Sequence, residues 1–302
     1  MTEVARAAAA DPGQAGATGQ PVLDKLVALL DLEVIEENIF RGVSPADRPI
    51  RVFGGQVAAQ ALIAAGRTVP ADRHVHSLHA YFIRPGDPSI PIVYEVDRIR
   101  DGRSFTTRRV VAIQRGKAIF SLSASFQLIQ QGLEHADAMP QVPGPDELLT
   151  YVEQVAAAKG TLDPTRSIPR PIDVRYVTEP PWLSRDKGPR EGRNQVWMRA
   201  DGKLADDPLL HVCVLAYASD MTLLDAPLAR HGKYWWLDNV IGASLDHAMW
   251  FHRPFRADEW FLYDCESPSA SGGRGLATGR FFSQDGTLVA TVVQEGLLRV
   301  ID

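Results

Sequence analysis

The sequence predicts an α+β protein in which two related halves share one antiparallel sheet around two buried helices. Three observations carry that expectation. The order strand, small-residue helix, four strands occurs twice along the chain. Both helical stretches are apolar around their whole circumference, so each belongs inside the protein and not on its surface. A four- or five-stranded half with a single helix also leaves apolar surface and a strand edge uncovered. Two such halves remove both by joining their sheets and packing the helices on the concave side.

The elements follow in order. Residues 1–20 hold only Ala7 to Ala10 as an apolar patch, too short for a signal-peptide core, and read as a disordered tail. The first half spans 21–131. Val22, Leu23, Leu26, Leu29 and Leu30 recur at helical spacing, and residues 40–53 are expected to be extended. Phe53-Gly54-Gly55-Gln56 then opens a run of strong helix formers that stops at Gly66, with Pro70 beyond. Strands are expected over 75–83, 92–100, 104–114 and 118–127. The turns between them are Arg84-Pro85-Gly86-Asp87, Asp101-Gly102 and Arg115-Gly116.

Residues 132–170 form a connector broken by Met139-Pro140, Pro143-Gly144-Pro145 and Ile168-Pro169, with one helix expected over 146–159. The second half, 171–302, repeats the first. A strand over 195–200 turns at Asp201-Gly202. Asp206-Asp207-Pro208 supplies an N-cap and a first-turn proline for a helix over 209–219. Strands over 244–255, 259–266, 275–283 and 287–300 complete it. Phe82-Ile83-Arg84-Pro85 echoes Phe251-His252-Arg253-Pro254, and Arg115-Gly116-Lys117 sits where Asp285-Gly286-Thr287 sits, so the halves read as an ancient repeat.

Composition excludes several functions. With 32 basic against 37 acidic residues, net −5, the chain lacks the basic excess of a nucleic-acid binder. Its longest apolar run, Val212 to Ala218, falls far short of the ~20 residues of a membrane helix, so no membrane span is expected. Cys213 and Cys265 have no paired-thiol spacing and suit reduced, buried thiols in a cytoplasmic protein. His74, His76 and His79 cannot share one strand face, and no carboxylate completes a set, so no metal is expected. Gly242-Ala243-Ser244-Leu245-Asp246 breaks the serine-hydrolase elbow at its last position, and no phosphate loop or dinucleotide fingerprint is present.

Five stretches carry a resemblance: Val52-Phe53-Gly54-Gly55-Gln56, Tyr81-Phe82-Ile83-Arg84-Pro85-Gly86-Asp87, Leu215-Ala216-Tyr217-Ala218-Ser219-Asp220, Leu245-Asp246-His247-Ala248-Met249-Trp250-Phe251-His252-Arg253-Pro254, and Val293-Gln294-Glu295-Gly296. Over roughly residues 21–299 the chain resembles the acyl-CoA thioesterase II family. The resemblance implies a double hotdog fold, hydrolysis of fatty acyl-CoA to fatty acid and CoA by an activated water, no cofactor, and a homodimer or higher homo-oligomer. It also implies a catalytic trio, which by motif falls on Asp220, Ser244 and Gln294, with Ser where some members carry Thr.

The residue types suit that chemistry. Thioester hydrolysis needs a water held beside the carbonyl carbon and a base for its proton. Asp220 closes a buried helix, where the macrodipole and desolvation both disfavour its charge and so favour accepting a proton. Ser244 and Gln294 can each donate and accept, which suits orienting a water. Alternation along 287–300 puts the Gln294 amide among Leu288, Ala290 and Val292, where it needs partners. Taken alone, Asp220 reads as a helix-end carboxylate and Ser244 as a loop serine. Gly54 and Gly55 offer unpaired N–H groups at a helix N-terminus, which suits substrate binding at the thioester oxygen, with Gly55 the expected donor. The first half has Ala65-Gly66-Arg67 where the second has its acid, so one site per chain is expected.

Arg98, Arg100, Arg103, Arg108, Arg109 and Arg115 crowd one hairpin and are candidates for the CoA phosphates. Trp235, Trp236 and Trp250 are candidates for an acyl channel. Two alternatives stand beside hydrolysis. One is a hotdog enoyl-CoA hydratase, drawn from Asp206-Asp207-Pro208-Leu209-Leu210-His211 with its proline one position out of register. The other is a non-catalytic acyl-CoA-binding protein.

Overall fold

A computed structural model describes residues 18–45, 51–157, 170–184, 187–235 and 238–301. Residues 1–17 of the expected tail lie outside these, and Gln20 already belongs to the first helix, α1 (Gln20–Leu30), whose Val22, Leu23, Leu26 and Leu30 are buried as their spacing requires. The first half continues with β1 (Glu33–Glu36), β2 (Ile39–Gly42), α2 (Gly54–Gly66), β3 (Arg73–Phe82), β4 (Ile92–Asp101), β5 (Phe105–Gln114) and β6 (Lys117–Leu128). The extended stretch expected over 40–53 is a strand only to Gly42.

The connector helix expected over 146–159 is two pieces, a 3-10 turn over Pro145–Glu147 and α3 (Tyr151–Ala157). Thr150 and Glu153 explain the break. The Thr150 N–H donates to Glu153 Oε2 (2.8 Å) and the Glu153 N–H to Thr150 Oγ1 (3.3 Å), so a new helix starts there. The connector is pinned to the outer face of the sheet. Trp197 Nε1 donates to Pro143 O, Arg175 Nη1 donates to Pro145 O, and Met139, Val142 and Leu148 pack on Trp197, Trp260, Leu262 and Phe282.

The second half runs β7 (Ile172–Tyr176), α4 (Pro181–Ser184), β8 (Arg193–Ala200), α5 (Pro208–Ser219), α6 (Asp225–Arg230), β9 (Val240–Ser244), β10 (Asp246–Phe251), β11 (Phe261–Ser271), β12 (Arg274–Ser283) and β13 (Leu288–Val300). The strand expected over 244–255 is thus the last residue of β9 followed by β10, the two strands both paired to β13 and separated at Leu245, and it ends at Phe251.

All thirteen strands form one sheet, ordered β1-β2-β4-β5-β6-β3-β10-β13-β12-β11-β8-β7 with β9 beside β13, and every pairing is antiparallel. The halves meet where β3 pairs with β10, Ala248 opposite His79. α2 and α5 lie against each other within one apolar core that draws on both halves. This is the double hotdog architecture. Cys213 and Cys265 are buried free thiols, and no helix among the described residues is long and apolar enough to cross a membrane.

Candidate active site

The two central helices run antiparallel, which brings the N-terminus of α2 against the C-terminus of α5. Glycines permit the approach. A Cβ on Gly55 would stand 2.5 Å from Tyr217 O, and one on Gly54 would stand 2.7 Å from Asp220 Oδ2 and 2.8 Å from Phe82. Phe53, the N-cap of α2, gives no side-chain cap. Gln56 and Val57 turn their N–H groups back to Phe53 O, and those of Gly54 and Gly55 make no hydrogen bond among the described residues. The α2 N-terminus is therefore an open donor site facing an acid.

Asp220 is the C-cap of α5 and is half-buried. Its Oδ1 accepts from Gln294 Nε2 at 2.7 Å and from Ser244 Oγ at 3.2 Å. Its Oδ2 has no hydrogen-bond partner among the described residues. Three side chains far apart in sequence thus converge, from the end of α5, the end of β9 and the middle of β13. Both amide and hydroxyl donate to one oxygen, and the positive end of α2 stands beside the other. All three set donors against the carboxylate at the C-terminal end of α5. Gln294 is fully buried on the face that carries Ala290 and Val292, as alternation requires.

A cavity of about 600 Å³ opens beside this carboxylate. Its walls include Gly54, Asp220 and Ser244, with Val52, Phe53, Val57, Phe82, Phe120, Met221, Leu224 and Trp235 supplying apolar surface. Asp225 also faces it and accepts from Trp235 Nε1 at 2.7 Å. Arg51 and Arg84 are the cations of the lining. They are held by Gly242 O (2.9 Å) and Ala118 O (2.6 Å). Gln294 and Gly55 do not line the cavity, so Gln294 reaches it only through Asp220.

Other candidates fall elsewhere. None of the six hairpin arginines lines the cavity; Arg108 is fully buried on Thr68 and Asp101, while Arg98, Arg109 and Arg115 pair with Glu37, Asp97 and Asp87. Trp235 is in the wall, Trp236 lies outside the described residues, and Trp250 stacks edge-on against His79 away from the cavity. In the stretch resembling a hydratase, Asp207 caps α5 through the Leu209 N–H and His211 Nδ1 accepts from the Ala257 N–H, and neither residue lines the cavity.

Sequence reasoning missed Arg51, Met221, Leu224 and β9 ahead of Ser244. Arg51 stands directly before the Val52 motif, the one signal available. Nothing local marked Val240–Ser244 as a strand.

Comparison with known proteins is consistent with this geometry. A family model described as acyl-CoA thioesterase matches residues 169–297, and one described as acyl-CoA thioesterase N-terminal domain matches 44–127. The chain is 43% identical over 288 residues to acyl-coenzyme A thioesterase 8 of Homo sapiens, covering 91% of this chain and 89% of that one. It is 41% identical over 286 residues to acyl-CoA thioesterase 2 of Haemophilus influenzae, covering 92% and 98%. Among solved structures, an acyl-CoA thioesterase II from Mycobacterium marinum aligns with a TM-score of 0.74 at 45% identity, over 92% of this chain and 98% of that one. A protein with a hot dog fold from Alicyclobacillus acidocaldarius, 20% identical, shares the fold at a TM-score of 0.76.

Proposed function

The chain belongs to the acyl-CoA thioesterase II family, and from that premise we propose that Asp220 takes a proton from a water that attacks the thioester carbonyl directly. The enzyme is an acyl-CoA thioester hydrolase. The observation that carries the proposal is the division of labour within one carboxylate. Oδ1 is anchored by Gln294 and Ser244, and Oδ2 is left unpartnered at the wall of an apolar cavity.

A water on Oδ2 gives up its proton as its oxygen bonds to the carbonyl carbon. The developing oxyanion needs donors, and the unpaired N–H group of Gly54, in the cavity wall, suits that role better than that of Gly55, which lies outside the wall. Collapse of the tetrahedral intermediate breaks the C–S bond, and the proton held on Asp220 passes to the departing sulfur. Fatty acid and CoA thiol result, with no acyl-enzyme. Ser244 keeps lone pairs toward the cavity for the water's second proton. Gln294 fixes the carboxylate rather than the water. The apolar wall takes the acyl chain, and Arg51 and Arg84 suit the CoA phosphates. The reading includes a cytoplasmic homo-oligomer, which light scattering on the purified protein checks.

The test is a panel of short to long acyl-CoAs on wild type and Asp220→Asn, following thiol release and, separately, ligand affinity. Hydrolysis lost with binding retained supports the base. Thiol release at the wild-type rate removes it. Tight binding by wild type without turnover would favour the binding-protein alternative.

A further inference from the structure

A second buried group stands behind the trio. His247 is 1% exposed and sits one step along β10 from Ala248, which pairs with Val293 on β13. Continuing that register sets His247 across from Gln294 on the core face, within side-chain reach. His247 Nδ1 and Gln294 Oε1 are both buried and neither makes a hydrogen bond among the described residues, while the Gln294 side chain is close enough to act on the ring. On the far side of the ring, Ser219 Oγ lies 2.8 Å from Nε2 and donates its proton to Ala216 O at 2.8 Å.

One proton arrangement suits the groups from Asp220 to His247, and it draws the single Ser219 proton from Ala216 O to the ring. Asp220 requires a donor, so Gln294 turns Nε2 toward it and leaves Oε1 facing His247. An acceptor there requires an N–H, so Nδ1 carries the ring proton. Nε2 is then bare and takes the hydroxyl proton of Ser219. The other tautomer would set the Nδ1 lone pair against Oε1, and rotating the amide to relieve that would aim its oxygen at the Asp220 carboxylate. Burial pushes the His247 pKa down, so the ring rests neutral.

We propose that His247 is a positioning residue that locks Gln294 with its N–H toward Asp220, by donating from Nδ1 to the amide oxygen. The proposal rests on the reading of Asp220 as base. Asp220 and Asp246 are the acids nearest the ring, Tyr263 on β11 donates to Ser219 O (3.0 Å), and Asp225, Arg51 and Arg84 face Asp220 from the cavity.

Two measurements test it. In wild type labelled with nitrogen-15 histidine, the His247 ring is expected to show a protonated Nδ1 and a bare Nε2 at neutral pH. A ring protonated at Nε2 overturns the proposal. His247→Leu is expected to lower kcat by roughly ten- to a hundredfold with KM for acyl-CoA within about threefold of wild type. His247→Asn, whose amide nitrogen replaces Nδ1, is expected to return kcat to within about fivefold of wild type. Leu and Asn variants equally impaired would overturn it. Full activity in Asp220→Asn would remove the base and leave the tautomer result standing, so the two failures are distinguishable.

Discussion

The two ends of the central helix pair are built from the same repeat and have opposite chemistry. At one end, α2 begins uncapped with Gly54 and Gly55, and α5 closes on Asp220. At the other, α5 begins capped by Asp207, and α2 closes on Arg67, whose guanidinium turns outward to Leu32 O and Asp31. Strand register extends the contrast. β3 pairs Phe82 with Phe120 and Leu78 with Ala124, while β10 pairs Phe251 with Ala290. Superposing the echoed Phe82 and Phe251 therefore puts Leu78 where the second half has His247, and Ala124 where it has Gln294. A donor-rich helix end becomes a site only where it lacks its own cap and an acid with supporting donors faces it. The first half has neither acid nor amide at the matching positions.

Exchanging the acids is the strongest way to break this comparison. Asp220→Asn is expected to lower kcat by about 10²–10⁴-fold. Asp207→Ala, at the mirrored end, is expected to leave kcat unchanged while costing about 1 kcal/mol of stability for the lost cap. Chemical denaturation with thiol-release kinetics on both variants reads the difference, and comparable activity losses would erase it.

The glycines sharpen it further. Gly54→Ala drives a methyl into Asp220 Oδ2 and the Phe82 ring, so kcat is expected to fall roughly a hundredfold. In Gly66→Ala the new methyl meets only the mobile tip of Leu209, which offsets a helix-propensity gain of up to about 1 kcal/mol. Its activity should match wild type. At the cavity wall, Arg84→Ala is expected to raise KM for acyl-CoA about fivefold at unchanged kcat, with a weaker salt dependence than wild type.

The smallest effect concerns pH. Burial lowers the pKa of His247 and His211, both in the second half and both almost fully buried. A histidine held below its unfolded value of 6.5 contributes stability that is complete above pH 6.5 and is lost as pH falls through the lowered folded value. The loss approaches about 1.4 kcal/mol per pH unit for each such histidine. Urea unfolding followed at Trp197 and Trp260 should show it starting below 6.5, and a flat profile down to about pH 5 would contradict the assignment.

Much of this was legible in the sequence, for identifiable reasons. The first-half strands β3 to β6 fall within two residues of their expected bounds, because alternation and Asp-Gly or Arg-Gly turns mark both ends. α5 is where Asp207 and Pro208 announce it. Gln294 stood out because an amide on an apolar strand face must have a partner. What stayed hidden depends on contacts across the chain. Gly54 is glycine because Asp220 arrives from the other half. β9 forms because β13 offers it an edge. The Arg51 and Arg84 pairing with the cavity needs the fold before it can be seen, and so does the bond from Gln294 to Asp220.

The central claim, direct attack by a water held on Asp220, is tested most directly by a single turnover in oxygen-18 water with enzyme in excess over acyl-CoA. Direct attack puts one labelled oxygen into every released fatty acid and none into the protein. Unlabelled fatty acid, with the heavy oxygen recovered in the Asp220 carboxyl by peptide mass spectrometry, would mean that the aspartate attacks the substrate itself and would contradict the account.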